Sequence, residues 1–158
     1  MGQGCFVRCE KCGRKDDIYI GIGGFYSEFY QQTVKDIRKG KYGKEWKELF
    51  KSRKHMAVDA EKKLYVCKSC GTWKVEADLS LYAPTNPENI KKEPSYVYLF
   101  APREDYTLVK EYTHFCDKCD DIAESKPLKY TREDFEAAGL RCPDCGGKCK
   151  ILGLFLWD

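Results

Sequence analysis

Cysteines recur in four Cys-x-x-Cys pairs, Cys9/Cys12, Cys67/Cys70, Cys116/Cys119 and Cys142/Cys145. Each such turn aims two sulfurs at a common centre, and a closed tetrahedral metal site needs four. Four turns therefore specify two sites, and the chain must fold so that the turns meet in pairs. Glycine follows the second cysteine at Gly13, Gly71 and Gly146, where the backbone needs a conformation that a Cβ would obstruct. The third turn carries Asp120 there instead, so its geometry is the least determined by the sequence. The simplest pairing joins Cys9/Cys12 with Cys67/Cys70, and Cys116/Cys119 with Cys142/Cys145. A crossed pairing of the first turn with the fourth closes far longer loops, and the sequence leaves both open.

A chain of 158 residues makes one ordinary domain or two small ones, and small domains bury too little surface to be secure without metals, disulfides or partners. There is no run of about 18 apolar residues to span a membrane. The opening Met1-Gly2-Gln3-Gly4-Cys5 has no basic region followed by an apolar stretch, so a reducing, cytoplasmic setting is expected. In that setting paired cysteines are read as metal ligands rather than disulfides. The expected cofactor is zinc, two ions with four thiolates each. Eight thiolates and two divalent ions lower the formal charge from +3 to −1. Overall charge thus gives no support for general polyanion binding, and only a local basic patch would supply it.

Periodicity places the turns between strands. Gly4 to Arg8 enters the first turn and Asp17 to Gly21 leaves it; Lys63 to Val66 enters the second, and Trp73, Val75, Ala77 and Leu79 alternate along the strand that leaves it. Two helices are predicted between these units. In the first, Tyr26, Tyr30, Val34 and Ile37 recur at helical spacing, with Ser27 as N-cap and Gly40 as stop. The second begins near Gly43, gathers Tyr42, Trp46, Leu49 and Phe50 on one face, and carries Lys44, Lys47, Lys51 and Lys54 beside it. Ala83 to Ser95 reads as a loop, Tyr96 to Phe100 and Tyr106 to Tyr112 as paired strands, and Thr131 as the cap of a short helix ended by Gly139. Ile151 to Trp157 is an apolar terminal strand that something must cover.

Through Cys9-Glu-Lys-Cys12-Gly13, Cys67-Lys-Ser-Cys70-Gly71 and Cys142-Pro-Asp-Cys145-Gly146, the chain resembles zinc-ribbon and rubredoxin-type four-cysteine knuckle proteins. The resemblance covers the knuckles and their flanking strands and implies structural zinc. The expected fold is a small α+β protein of two zinc-ribbon-like antiparallel β modules. Residues 1–82 form the first, with a helical insertion at about 25–55; 83–95 are a loop or linker; 96–158 form the second. The 54 residues between Cys12 and Cys67 far exceed a spacer of about 15–20. Specificity is therefore sought in that insertion.

The remaining candidates are weaker. Cys5-Phe-Val-Arg-Cys9-Glu-Lys-Cys12 has the three-then-two cysteine spacing of radical-SAM enzymes, but the chain is too short for their partial barrel. Cys5 and Cys149 are read as small apolar residues on strands. His114 is read as a solvent-facing histidine or one supporting the metal site from behind, and His55 as a partner of the basic helix's C-terminal dipole. Gly21-Ile-Gly23-Gly24 matches neither phosphate-binding fingerprint and is read as a turn. From Lys35 to Lys54 nine basic residues stand against three acids, a cluster suited to phosphates, with Tyr42 and Trp46 as stacking partners where exposed.

With two histidines and no nucleophile-base spacing, no catalytic residue is assigned. The expected function is a non-enzymatic zinc-binding interaction or adaptor module for an unidentified protein or nucleic acid. Two alternatives are RNA or DNA binding through Lys44, Lys47, Lys51 and Lys54, and a rubredoxin-like iron electron carrier.

Overall fold

The computed structural model describes residues 2–90, 105–126 and 130–158. The strand expected at 96–100 lies outside them. In chain order the elements are β1 (Gly2–Cys9), β2 (Lys15–Ile20), α1 (Tyr26–Lys39), α2 (Lys44–Lys51), β3 (Ala57–Val58), β4 (Lys62–Cys67), β5 (Trp73–Ala77) and β6 (Leu81–Pro84). A 3-10 turn, Pro87–Asn89, follows, then β7 (Tyr106–Lys110), β8 (His114–Phe115), β9 (Ile122–Ser125), α3 (Arg132–Ala137) and β10 (Cys149–Trp157). Mixed helices and antiparallel strands make this an α+β protein, as expected. Ala83 and Pro84, read as loop, belong to β6 because they pair with Thr107 and Tyr106 of β7.

Two compact units alternate along the sequence: Met1–Gly23, Lys62–Glu76 and Thr113–Asp158 form one, Gly24–Glu61 and Ala77–Tyr112 the other. The limits at Lys62 and Glu76 flank the second knuckle, and that at Thr113 precedes the third.

The first unit holds all four knuckles. Its first sheet has the order β10-β1-β2, and a second has the order β5-β4-β9-β8. Alternation along β1 turns Cys5 and Val7 inward to join Ile18, Ile20, Leu64, Val66, Phe135, Leu140 and Ile151 in one buried cluster. The terminal strand pairs with β1 from Gly2↔Trp157 to Cys9↔Cys149, with one bulge near Val7, and buries Ile151, while Leu152, Leu154 and Leu156 stay exposed. This ladder joins the two ends of the chain. Helix α3 starts at Thr131 with a reciprocal capping box to Asp134, and Phe135, 1% exposed, carries it into the core.

The second unit packs α1 and α2 with the sheet β3-β6-β7. Helix α1 begins at Tyr26 with Phe25 as N-cap, two residues before the expected Ser27, and ends at Gly40 in the left-handed region (φ 88°). Tyr26, Tyr30, Thr33 and Ile37 are its buried residues. Helix α2 starts after Gly43 as expected but ends at Lys51. His55, expected to end it, therefore lies beyond it, at φ 56°. Trp46 is buried, and its indole N–H donates to the Leu79 carbonyl at 2.8 Å.

Candidate metal centres

All four knuckles repeat one backbone pattern. The amide of the first cysteine donates to the carbonyl five residues on: Cys9 to Arg14 (2.8 Å), Cys67 to Thr72 (2.9 Å), Cys116 to Asp121 (2.7 Å) and Cys142 to Gly147 (2.8 Å). The residue after the second cysteine donates back to the first cysteine's carbonyl: Gly13 at 3.0 Å, Gly71 at 3.1 Å, Asp120 at 3.0 Å and Gly146 at 2.9 Å. That residue has φ 76°, 70° and 69° at the glycines and 61° at Asp120. The third knuckle thus has the geometry of the others. Aspartate is among the few side chains that tolerate the left-handed region.

The sulfurs gather into two groups, Cys9, Cys12, Cys142 and Cys145, and Cys67, Cys70, Cys116 and Cys119, each with all four atoms within 4.8 Å of one another. This nested arrangement replaces the sequential pairing favoured on loop length. The reason is sheet register. The β1–β10 ladder ends at Cys9↔Cys149, which sets the knuckle after β1 beside the knuckle before β10. The β4–β9 ladder ends at Cys67↔Ala123 and does the same for the inner pair. Glu10 and Lys68, each following a first cysteine, donate to Lys148 (2.9 Å) and Ile122 (3.1 Å) on the facing strands. Doubling a loop costs only about 0.6 kcal/mol in closure entropy, so an eight-residue ladder outweighs it.

Within the outer group Cys9 Sγ lies 3.5 Å from Cys145 Sγ and Cys12 Sγ 3.7 Å from Cys142 Sγ. Within the inner group Cys67–Cys119 is 3.4 Å and Cys70–Cys116 3.6 Å. A disulfide needs about 2.05 Å, and all ten cysteines are free thiols. A tetrahedron with metal–sulfur bonds of about 2.3 Å has sulfur–sulfur edges of about 3.8 Å. The observed spacing fits a tetrathiolate cage, and each group can hold one metal ion.

Electrostatics say the same. The Cys12 amide donates to Cys9 Sγ at 3.5 Å and holds that thiol down to about 6. Thr72 Oγ1, 3.2 Å from Cys70 Sγ, leads in holding Cys70 at about 6. Cys12 is pushed up to about 12, because the Arg14 amide that favours its thiolate is outweighed by the sulfurs of Cys145 and Cys9. Four sulfurs this close cannot all carry charge unaided; a cation among them removes the conflict.

Several supporting residues carried no sequence signal. Arg14 bridges the outer pair of knuckles, bonding Asp16 at 2.7 Å and Asp144 at 2.6 Å. Ser69 bonds Asp121, and Lys74 bonds Asp117 at 3.0 Å, across the inner pair. A Cβ at Gly147 would meet Cys9 Sγ at 3.0 Å and Lys11 Cβ at 2.7 Å. The second glycine of Cys145-Gly146-Gly147 is the one cue that could have exposed this. His114 is not solvent-facing: it is 3% exposed, stacks on Tyr65 at 3.7 Å and bonds Glu76 at 2.9 Å. Burial pushes the Cys5 thiol up to about 12 and the Cys149 thiol up to about 11, which suits inert packing residues.

On α2, Lys44 pairs with Glu48 at 3.7 Å, Lys47 is half-buried, and Lys51 and, beyond the helix, Lys54 are exposed. Trp46 is withdrawn from the surface, and Tyr42 packs edge-on against Tyr112 at 6.2 Å. Among the described residues no helix is long and apolar enough to cross a membrane. Comparison with protein-family models, curated proteins and solved structures finds no match, so the nested clusters themselves carry the functional argument.

Proposed function

We propose that the chain is a non-enzymatic, zinc-stabilised interaction module, with two structural ions each held by four thiolates and a protein or nucleic acid as partner. The observation that carries this is closure. Among the described residues each group offers four cysteines and nothing else, so an ion bound there keeps no position for water or substrate, unlike a catalytic site with three protein ligands. The knuckle amides and Thr72 turn toward the sulfurs, which holds the ligands rather than leaving one exchangeable. Each centre follows a zinc-ribbon-like plan: a strand runs into one knuckle, a second strand leaves it, and the opposing knuckle opens onto the strand that closes the ladder.

Structural zinc supplies on the order of 10–16 kcal/mol, against a net domain stability of about 5–15 kcal/mol. Folding should therefore follow metal. The test is elemental analysis of purified protein with near-ultraviolet circular dichroism before and after chelation. Two zinc per chain, no visible colour and loss of the tertiary signal on chelation are expected. A coloured, iron-bearing protein would make it a one-electron carrier instead, and an unchanged tertiary signal after both ions are gone would end the structural-metal reading.

A further inference from the structure

The outer face of the β10-β1-β2 sheet combines two things that the basic helix does not: exposed rings and a row of cations. Strand alternation sends Arg8, Phe6 and Gly4 of β1, Lys15, Asp17 and Tyr19 of β2, and Lys150, Phe155 and Trp157 of β10 away from the core. Arg8 stands opposite both Lys150 and Lys15, which makes one cross-strand row of three exposed cations. Two steps along, Gly4 stands opposite both Phe155 and Tyr19. Phe6 and Phe155 lie 4.6 Å apart and tilted by 39°, while Tyr19 meets Phe155 at 5.1 Å and Trp157 at 5.5 Å edge-on, so the rings form a continuous aromatic platform of tilted and edge-to-face contacts.

The platform is held in place. A Cβ at Gly2 or Gly4 would overlap the Trp157 indole or the Phe155 ring, so the rings lean over β1 where side chains would otherwise stand. The Trp157 indole N–H donates to the carbonyls of Gln3 at 3.0 Å and Ile20 at 3.2 Å, and Lys62 Nζ sits 5.8 Å from its ring centre. Phe6 is nonetheless 41% and Tyr19 42% exposed. Large apolar surface left open on a rigid sheet marks an interaction site. Among the described residues of these three strands, Asp17, opposite Phe6, is the one carboxylate on this face.

Rings offer π-faces to unpaired bases, and a flanking cation row neutralises phosphates; together they are the physical requirements for holding a single strand without reading its sequence. Protein partners that match the rings have no need of three cations, and a duplex cannot present its base faces. We propose that this sheet face binds single-stranded nucleic acid, with Phe6 and Tyr19 stacking on bases and Arg8, Lys15 and Lys150 contacting the backbone. The proposal rests on the reading of the chain as a metal-stabilised interaction module and names its surface and partner class.

The test uses the full, zinc-loaded chain and fluorescence anisotropy of labelled 15-mer oligothymidylate and oligouridylate at 50 and 200 mM salt. Expected are tighter binding to single strands than to a duplex of equal length, and a loss of roughly tenfold or more for F6A/Y19A. The triple variant R8A/K15A/K150A should flatten the plot of log affinity against log salt by about 2, since each phosphate contact contributes about 0.7 on single strands. Zinc content and near-ultraviolet dichroism are read on every variant. Wild-type protein that holds two zinc ions but binds no oligonucleotide at 50 mM salt overturns this proposal and leaves the module reading standing; absence of zinc overturns the module reading itself. Undiminished binding by both sheet variants, loss confined to K44E/K47E/K51E, or equal displacement by polyglutamate also overturns it.

Discussion

Cys9 Sγ lies 3.5 Å from Cys145 Sγ, although 136 residues separate them in the chain. Cysteines near the two ends of the polypeptide therefore belong to one four-sulfur group, and paired substitutions discriminate this from a sequential arrangement. C9S/C142S removes two ligands from one site, so one zinc per chain should remain. C9S/C67S damages both sites and should leave fewer than one. Sequential pairing would give the opposite result for each variant. Elemental analysis after gel filtration reads the outcome, and one zinc retained by C9S/C67S would refute the nested assignment.

Because the β1–β10 ladder sets the outer site, a lesion in the ladder far from the sulfurs should reach that ion. Gly4 is such a place. A Cβ there would overlap the carbonyl oxygen of Ile18 and the Phe155 ring, and the carbonyl, held in the β1–β2 ladder, cannot move aside. G4A is expected to cost about 1–3 kcal/mol, as other overpacked sites do. It should speed zinc loss from the outer site while the inner site keeps its ion. Competition with a chromogenic chelator should resolve two phases, of which only one accelerates.

How far the sequence discloses this molecule differs from level to level. Local structure is legible in part: the knuckles, the strands entering and leaving the first two, the Gly40 stop and the Thr131 cap all follow from residue types at short spacing, whereas β8 and β9 around the third knuckle do not. The eight sulfurs are legible as candidate ligands for the same reason. Their partnership is not, because it depends on which strands pair, and hydrophobic alternation says that a strand has an inner face without naming its neighbour. Loop length points to the sequential answer because it weighs closure entropy alone and omits the register of Cys9 on Cys149. His114 eludes the sequence similarly: its partners Tyr65 and Glu76 come from strands 49 and 38 residues away. The aromatic platform is hidden because Phe6, Tyr19, Phe155 and Trp157 lie on three strands that only the ladder unites.

Asp120 occupies the left-handed position that glycine fills in the other three knuckles, at φ 61°. A side chain there costs roughly 1–2 kcal/mol for most residues and less for aspartate, while glycine adds chain entropy to the unfolded state. D120G is therefore expected to stabilise the protein modestly, by about 0.5 kcal/mol. G71A should do the reverse by more than 1 kcal/mol, on the order of other left-handed glycine replacements, since its Cβ would also meet Arg141 Cγ at 2.6 Å. Denaturant titration of zinc-loaded protein gives both signs. A destabilised D120G would mean that the Asp120 side chain contributes something beyond the turn.

Acid should release the ions, and the direction follows from the thiols. Cys9 is held at about 6, first by the Cys12 amide, and Cys70 at about 6, first by the Thr72 hydroxyl, both below an ordinary value of 9.0. A group lowered on folding contributes stability that is complete above its unfolded value and is lost as pH falls through its folded value. Both thiolates thus persist at pH 7, and protons compete with metal as pH descends through about 6. Two zinc ions per chain are expected at pH 7–8, with release and loss of the near-ultraviolet signal below pH 6. T72V withdraws the hydroxyl from Cys70 and should move release from the inner site upward, by up to about one pH unit, while the outer site is unchanged. Ultrafiltration with elemental analysis across pH 4–8 measures both. Equal displacement of the two sites in T72V would show that Thr72 acts on the fold as a whole and not on the Cys70 thiolate.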